Sequence, residues 1–180
     1  MNHSDNFGEC LEYILLAEGG YSNRKADRGG PTNYGVTQHN YDAWLLKHRH
    51  PIRHVKYIEM WEVRSIYDEG YWEPVKCRLL GSPMDLVMFD SAIQHGPGRA
   101  AMMLQEAVGT VQDGKIGPKT LTALAAREQQ LGRRETIQAF MKIREAFYAQ
   151  IIANDPTQEE NKRRWTNRVR KLMDVVKATV

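Results

Sequence analysis

Apolar residues recur at helical spacing in one segment of this chain after another, and a single glycine-rich stretch over 18–37 interrupts the series. Over 5–17, Phe7, Cys10, Leu11, Ile14 and Leu15 share a face; Ser4 is placed to cap the start, and Gly19-Gly20 ends the helix. Thr37 can cap a helix through Arg49 that turns Tyr41, Trp44 and Leu45 inward, and a helix near 59–69 presents Met60, Val63, Ile66 and Tyr67. Pro83 opens a helix with Leu86, Phe89, Asp90 and Ile93 that stops at Gly96, and 98–108 follows with Ala100, Ala101, Leu104 and Val108. The turn Asp113-Gly114-Lys115-Ile116-Gly117 leads into a short helix from Pro118. Two long helices come last, near 133–153 (Ile137, Phe140, Met141, Phe147, Ile151) and near 158–178 (Trp165, Val169, Leu172, Val176), with Asn154-Asp155-Pro156 between them. Strand-like alternation is missing, apart from room for a short hairpin inside 20–36. The pattern predicts a mostly α fold.

Composition narrows the function classes. A length of 180 residues suits one domain, or two small ones packed closely. Cys10 and Cys77 make no disulfide framework and show no zinc spacing, so both read as small core residues and no metal or organic cofactor is implied. Net charge is only +3, yet Lys162, Arg163, Arg164, Arg168, Arg170 and Lys171 crowd together around Trp165. That run reads either as a solvated helix face or as an attraction to an acidic polymer. It lacks a recognition-helix motif, so nucleic acid is not the expected partner. The apolar run from Tyr13 to Ala17 follows Asp5, Glu9 and Glu12 rather than a basic region, and no stretch reaches membrane-spanning length. The expectation is synthesis in the cytoplasm without a signal peptide and no stable membrane insertion; an extracytoplasmic substrate would then require export.

Residues 18–37 carry the chemistry. Glu18 falls at the C-terminal end of the first amphipathic helix, where exposed carbonyls create negative potential. Apolar neighbours would desolvate it, and both effects would raise its pKa, as a general acid requires. The glycines beside it leave room for a bulky substrate. Asp27 lies in the same loop, and Thr32 and Thr37 could hold a water or a hydroxyl. An acid and a second carboxylate are what glycosidic cleavage demands. The plainer reading makes Glu18 a surface residue at a helix end and Asp27 a turn former. Tyr21, Tyr34, Tyr71 and Trp72 have flat apolar bodies with polar tips, suited to sugar rings or equally to a core. His95 ends a helix, where capping is the simpler role.

The words Glu18-Gly-Gly-Tyr-Ser-Asn and Asp27-Arg-Gly-Gly-Pro-Thr-Asn-Tyr-Gly-Val-Thr-Gln resemble the signature of glycoside hydrolase family 108, the N-acetylmuramidases. Val55-Lys56-Tyr57-Ile58 and Tyr71-Trp72-Glu73-Pro74-Val75 continue the likeness. The segments Phe89 to Ala100 and Asp113 to Leu121 resemble the peptidoglycan-binding region that follows this catalytic part, with Gln94 where the pattern has asparagine. The resemblance implies a lysozyme-like helical fold with a glycine-rich active-site loop or small hairpin, its two halves packed as one unit. Residues 1–83 would form the catalytic region and 84–180 the peptidoglycan-binding helical region. It implies hydrolysis of the β-1,4 bond between N-acetylmuramic acid and N-acetylglucosamine, with Glu18 as the acid. By looser analogy with phage-type lysozymes, Asp27 and Thr32 are its partners, although Thr32 comes one residue early. Tyr21, Asn33, Tyr34, Thr37, Tyr71 and Trp72 are the expected substrate contacts, and glycan strands with their stem peptides the expected partners. Members of the family serve as phage endolysins or domesticated relatives. Local wall opening in the periplasm, for release of phage or of a secreted cargo such as a toxin, follows, with an export system or holin-like protein as a further partner. The alternative is a wall-binding or secretion-accessory protein that keeps only the fold.

Overall fold

The computed structural model describes residues 5–18, 20–23 and 30–179; Ser4, Gly19 and Asp27, each given a role above, lie outside them. The fold is mostly α: eight α-helices and one two-stranded hairpin among the described residues. Contacts divide the chain into two compact units, one running to Glu73 and the other starting at Pro74.

The first unit begins with α1 (Phe7–Glu18), whose start is held by the Phe7 N–H donating to Asp5 Oδ1 at 3.2 Å. Phe7, Cys10, Leu11 and Ile14 are buried, as their spacing requires. Strands β1 (Thr32–Asn33) and β2 (Val36–Thr37) pair antiparallel, Thr32 opposite Thr37 and Asn33 opposite Val36. Between them Tyr34 and Gly35 both take positive φ, 50° and 75°, the pattern of a two-residue turn whose twist matches its strands. Thr37 then caps α2 (Gln38–Lys47), its Oγ1 accepting from Asn40 N at 3.2 Å. A 3-10 turn (Val55–Tyr57), α3 (Met60–Tyr67) and one π-helical turn (Asp68–Trp72) complete the unit. Val63, Ile66 and Tyr67 are buried, but Met60 is 45% exposed: it sits in the first turn of α3, ahead of the buried stripe.

In the second unit, α7 (Arg133–Asn154) packs against α4 (Met84–His95), α5 (Pro97–Ala107), α6 (Pro118–Leu131) and α8 (Lys162–Thr179). Ile137, Phe140 and Met141 are buried on it; further along, Arg144 and Tyr148 are buried, whereas Phe147 and Ile151 are only half-buried. The reason is a polar cluster inside the bundle. Asp90 of α4, fully buried, meets Arg144 Nη1 at 2.6 Å and Arg168 Nε of α8 at 2.8 Å. Arg144 also donates to Ser91 Oγ at 3.1 Å and to the Tyr148 hydroxyl. Thus Arg168 leaves the basic run of α8 for the interior, while Arg163, Arg164, Arg170 and Lys171 stay exposed. His95 caps nothing: its ring stands edge-on to Phe147 and Tyr148, at 5.4 and 5.0 Å, and Trp165 stacks on Tyr148 at 4.7 Å. Gln105 pins the Asp113-Gly114 turn, its buried amide bonding Asp113 Oδ1, the Lys115 carbonyl and the Gly114 N–H. Both cysteines are buried, and neither forms a disulfide among the described residues.

Candidate active site

Glu18 is the last residue of α1 and is half-buried. What lies against it is the hairpin turn. A β-carbon added at Gly35 would fall 3.2 Å from Glu18 Cγ, 3.3 Å from its Cβ and 2.5 Å from the Tyr67 hydroxyl. Glycine is therefore required twice here, for its positive φ and for the space it leaves. The Tyr67 hydroxyl donates to the Tyr34 carbonyl at 2.9 Å, tying the turn to the end of α3. Tyr71, one helical turn on, tilts against Tyr67 with ring centroids 5.7 Å apart. Burial raises the Tyr71 phenol above its ordinary pKa, and the negative charge of Glu18 raises it further. The phenol is accordingly a lasting proton donor beside the carboxylate.

The hairpin is fixed from below. Asn33 is buried and donates to the carbonyls of Val55 and Lys56, each at 3.3 Å. Gln38 accepts from Val55 N at 2.7 Å and donates to the Arg53 carbonyl at 3.0 Å. The amide nitrogen of Asn33, a residue expected to contact substrate, is thus engaged with backbone carbonyls. Trp72, also expected to contact substrate, is fully buried, its ring 5.4 Å from Phe7, and offers no face to a sugar. Its apolar bulk was better used under α1.

The remaining expected contacts keep usable groups. Thr32 and Thr37, directly opposed, project from one side of the hairpin. The Thr32 hydroxyl donates to the Gly30 carbonyl at 3.2 Å, so its lone pairs remain to accept. The Thr37 hydroxyl accepts from Asn40 N, so its proton remains to donate. Ser22 bridges to Thr32 through paired backbone bonds of 2.8 and 2.9 Å, which carries neighbouring Tyr21 to the hairpin edge. Tyr21 is 41% exposed, with Lys56 Nζ 5.9 Å from its ring centre. Tyr34 is half-buried on the turn itself.

Two other acids of this unit are occupied differently. Burial alone would raise the Glu62 carboxyl, but the Glu59 N–H, the Tyr41 phenol and Arg53 outweigh it and hold it below its ordinary range. The same contest at Glu69, between burial and bonds from Lys47, Ser65 and His48, ends at about 2. Both are fixed anions and poor proton donors. Sequence reasoning missed Tyr67 and Gly35 as parts of the site. The signals were present: Tyr67 lies four residues before Tyr71, and Tyr34-Gly35 is a two-residue interval between strand residues.

The sequence matches the family model Glycosyl hydrolase 108 over residues 11–96 and the Predicted Peptidoglycan domain over residues 99–170. Among solved structures, one titled "Structure of Brucella abortus SagA" is similar over 96% of this chain and 94% of that one, at 31% identity and a TM-score of 0.79. No curated protein matches. A helical fold with a hairpin at the end of α1, joined to these matches, defines a glycoside hydrolase directed at the cell wall. Within that class, the chain belongs to the glycosyl hydrolase 108 family, with a peptidoglycan domain behind its hydrolase part.

Proposed function

We propose that the chain is an N-acetylmuramidase that hydrolyses the β-1,4 bond between N-acetylmuramic acid and N-acetylglucosamine, with Glu18 as general acid. One observation carries the reading: Glu18 stands at a helix C-terminus with Gly35 packed close against its side chain, in the turn of the hairpin that bears Thr32 and Thr37. Glu18 gives its proton to the glycosidic oxygen as the C1–O bond breaks. Water then adds to C1 and yields its proton to a base. Asp27 is that base or the anion supporting the oxocarbenium-like state. Thr32 accepting and Thr37 donating would hold the water between them. Tyr71 keeps its proton beside Glu18 and steadies the carboxylate left after transfer. Tyr21 and Tyr34 offer ring faces to the sugars.

The same reading has the protein made in the cytoplasm and acting in the periplasm after export, opening the wall locally for a secreted cargo or for phage. The test is digestion of purified sacculi, followed by turbidity and by identification of the new reducing ends. Muramic acid at those ends is expected. Glu18→Gln should abolish the reaction while changing stability by less than about 1 kcal/mol, because little packing is lost. More than a tenth of wild-type activity in that variant would remove Glu18 from the role. Binding to sacculi without any cleavage would make the chain a wall-binding protein instead.

A further inference from the structure

A cavity of about 340 Å³ opens between α5 and α7, and every residue lining it lies within the part that matches the Predicted Peptidoglycan domain. Sites for small ligands span roughly 300–1,000 Å³, so this one suits a fragment of two or three residues. Its floor is apolar, formed by Met102, Met103 and Phe147, and its rim carries Arg99, Glu106 and Lys142. On α5, Arg99, Met102, Met103 and Glu106 follow the spacing of one helix face, so a cation and an anion bracket the methionines. The Arg99 guanidinium lies over the Phe147 ring, 4.9 Å from its centre. Stacking holds that fork in place while leaving its N–H edges free for a carboxylate. Among the described residues, none of the three rim charges is engaged in an ion pair.

We propose that this cavity binds the peptide stem of the wall polymer, in the form of a short segment with methyl side chains, a free carboxylate and an ammonium group. The proposal rests on the reading of the chain as a peptidoglycan hydrolase and names the part of the substrate that its second unit holds. A sugar fits less well, because the one aromatic face of the cavity is already covered by a guanidinium. Thioethers suit alanine methyls, which need apolar contact but little shape. Arg99 and Lys142 match carboxylates, and Glu106 matches the ammonium of a diamino acid.

The experiment uses the full chain and two probes. Calorimetric titration with the soluble tripeptide L-alanyl-γ-D-glutamyl-meso-diaminopimelate measures the cavity directly. Arg99→Gln combined with Lys142→Gln should weaken binding about tenfold or more, since charge-assisted bonds to a carboxylate are lost. Glu106→Gln should weaken this tripeptide but not its counterpart acetylated on the side-chain amine. The second probe is hydrolysis of intact sacculi against glycan strands stripped of peptide. In the double variant, the ratio of kcat/KM on intact wall to that on stripped glycan should fall about tenfold, through KM. Unchanged tripeptide affinity, or equal losses on both glycans, would overturn the assignment. If the wild type cuts neither glycan, the hydrolase reading fails while the titration still decides the cavity.

Discussion

Gly35→Ala probes the site without replacing a proposed catalytic group. The new β-carbon would stand 2.5 Å from the Tyr67 hydroxyl and just over 3 Å from the Glu18 side chain, at a φ of 75°. A left-handed φ costs a residue with a β-carbon about 1–2 kcal/mol. Relief of the shortest contact must swing the Tyr67 ring away, breaking its 2.9 Å bond to the Tyr34 carbonyl at a further cost of about 1 kcal/mol. The expected loss is therefore about 2–3 kcal/mol, a large part of a typical stability of roughly 5–15 kcal/mol. Glu18 would be pushed as well, and a displacement of about 1 Å can lower a rate on the order of a hundredfold. Urea unfolding and sacculus hydrolysis measure the two effects. Tyr67→Phe supplies the control, because it removes the oxygen that the new methyl strikes. The double variant should lose less than the sum of the single losses, by about 1 kcal/mol. Additive losses, or a Gly35→Ala variant that is as stable and as active as the parent, would refute the reasoning.

Asp27→Asn should cut sacculus hydrolysis strongly; full activity would move the second catalytic role to Thr32 or Thr37. Asp90→Asn should cost about 3–5 kcal/mol in denaturant unfolding, because Arg144 and Arg168 lose the buried anion between them. Burial, aided by the positive charge of Arg144, lowers His95 from its ordinary 6.5 to about 4. Between those values the unfolded chain takes up a proton that the folded chain refuses, so stability should fall as pH drops from 6.5 towards 4. Midpoints of urea unfolding across that range should show the slope, and His95→Gln should remove its share.

The helices were legible because their apolar stripes are long and their caps conventional. Phe7 to Ile14 on α1 and Tyr41, Trp44 and Leu45 on α2 are buried where periodicity placed them. The hairpin was legible only as an allowance, since two residues per strand are too few to alternate visibly. Helix α6 was underestimated: Leu124 and Thr120 are its only buried residues, too sparse a stripe to mark its 14-residue length. On α7 the stripe was followed through Phe147 and Ile151, because Arg144 reads as a solvent residue until its partner 54 positions earlier is known. Within the site, Glu18 and the threonines were singled out by type and spacing. The burial of Trp72 was not legible, because a ring of the kind that grips a sugar also fills a core. Tyr67 enters the site only through a contact 33 residues away along the chain, a distance no local pattern records.

The cluster at Asp90 also has a timetable. Its two cationic partners come from helices made long after α4, and the bond to Arg168 spans 78 residues. At roughly 5–20 residues per second, a ribosome needs on the order of 4–16 s to add that second partner. Until then a carboxylate destined for a dry interior has at most one of its two cationic partners, and the surface of α7 that α8 will cover stays open. The second unit is therefore expected to settle late in its own synthesis, with α8 arriving as the closing piece rather than as an appendage.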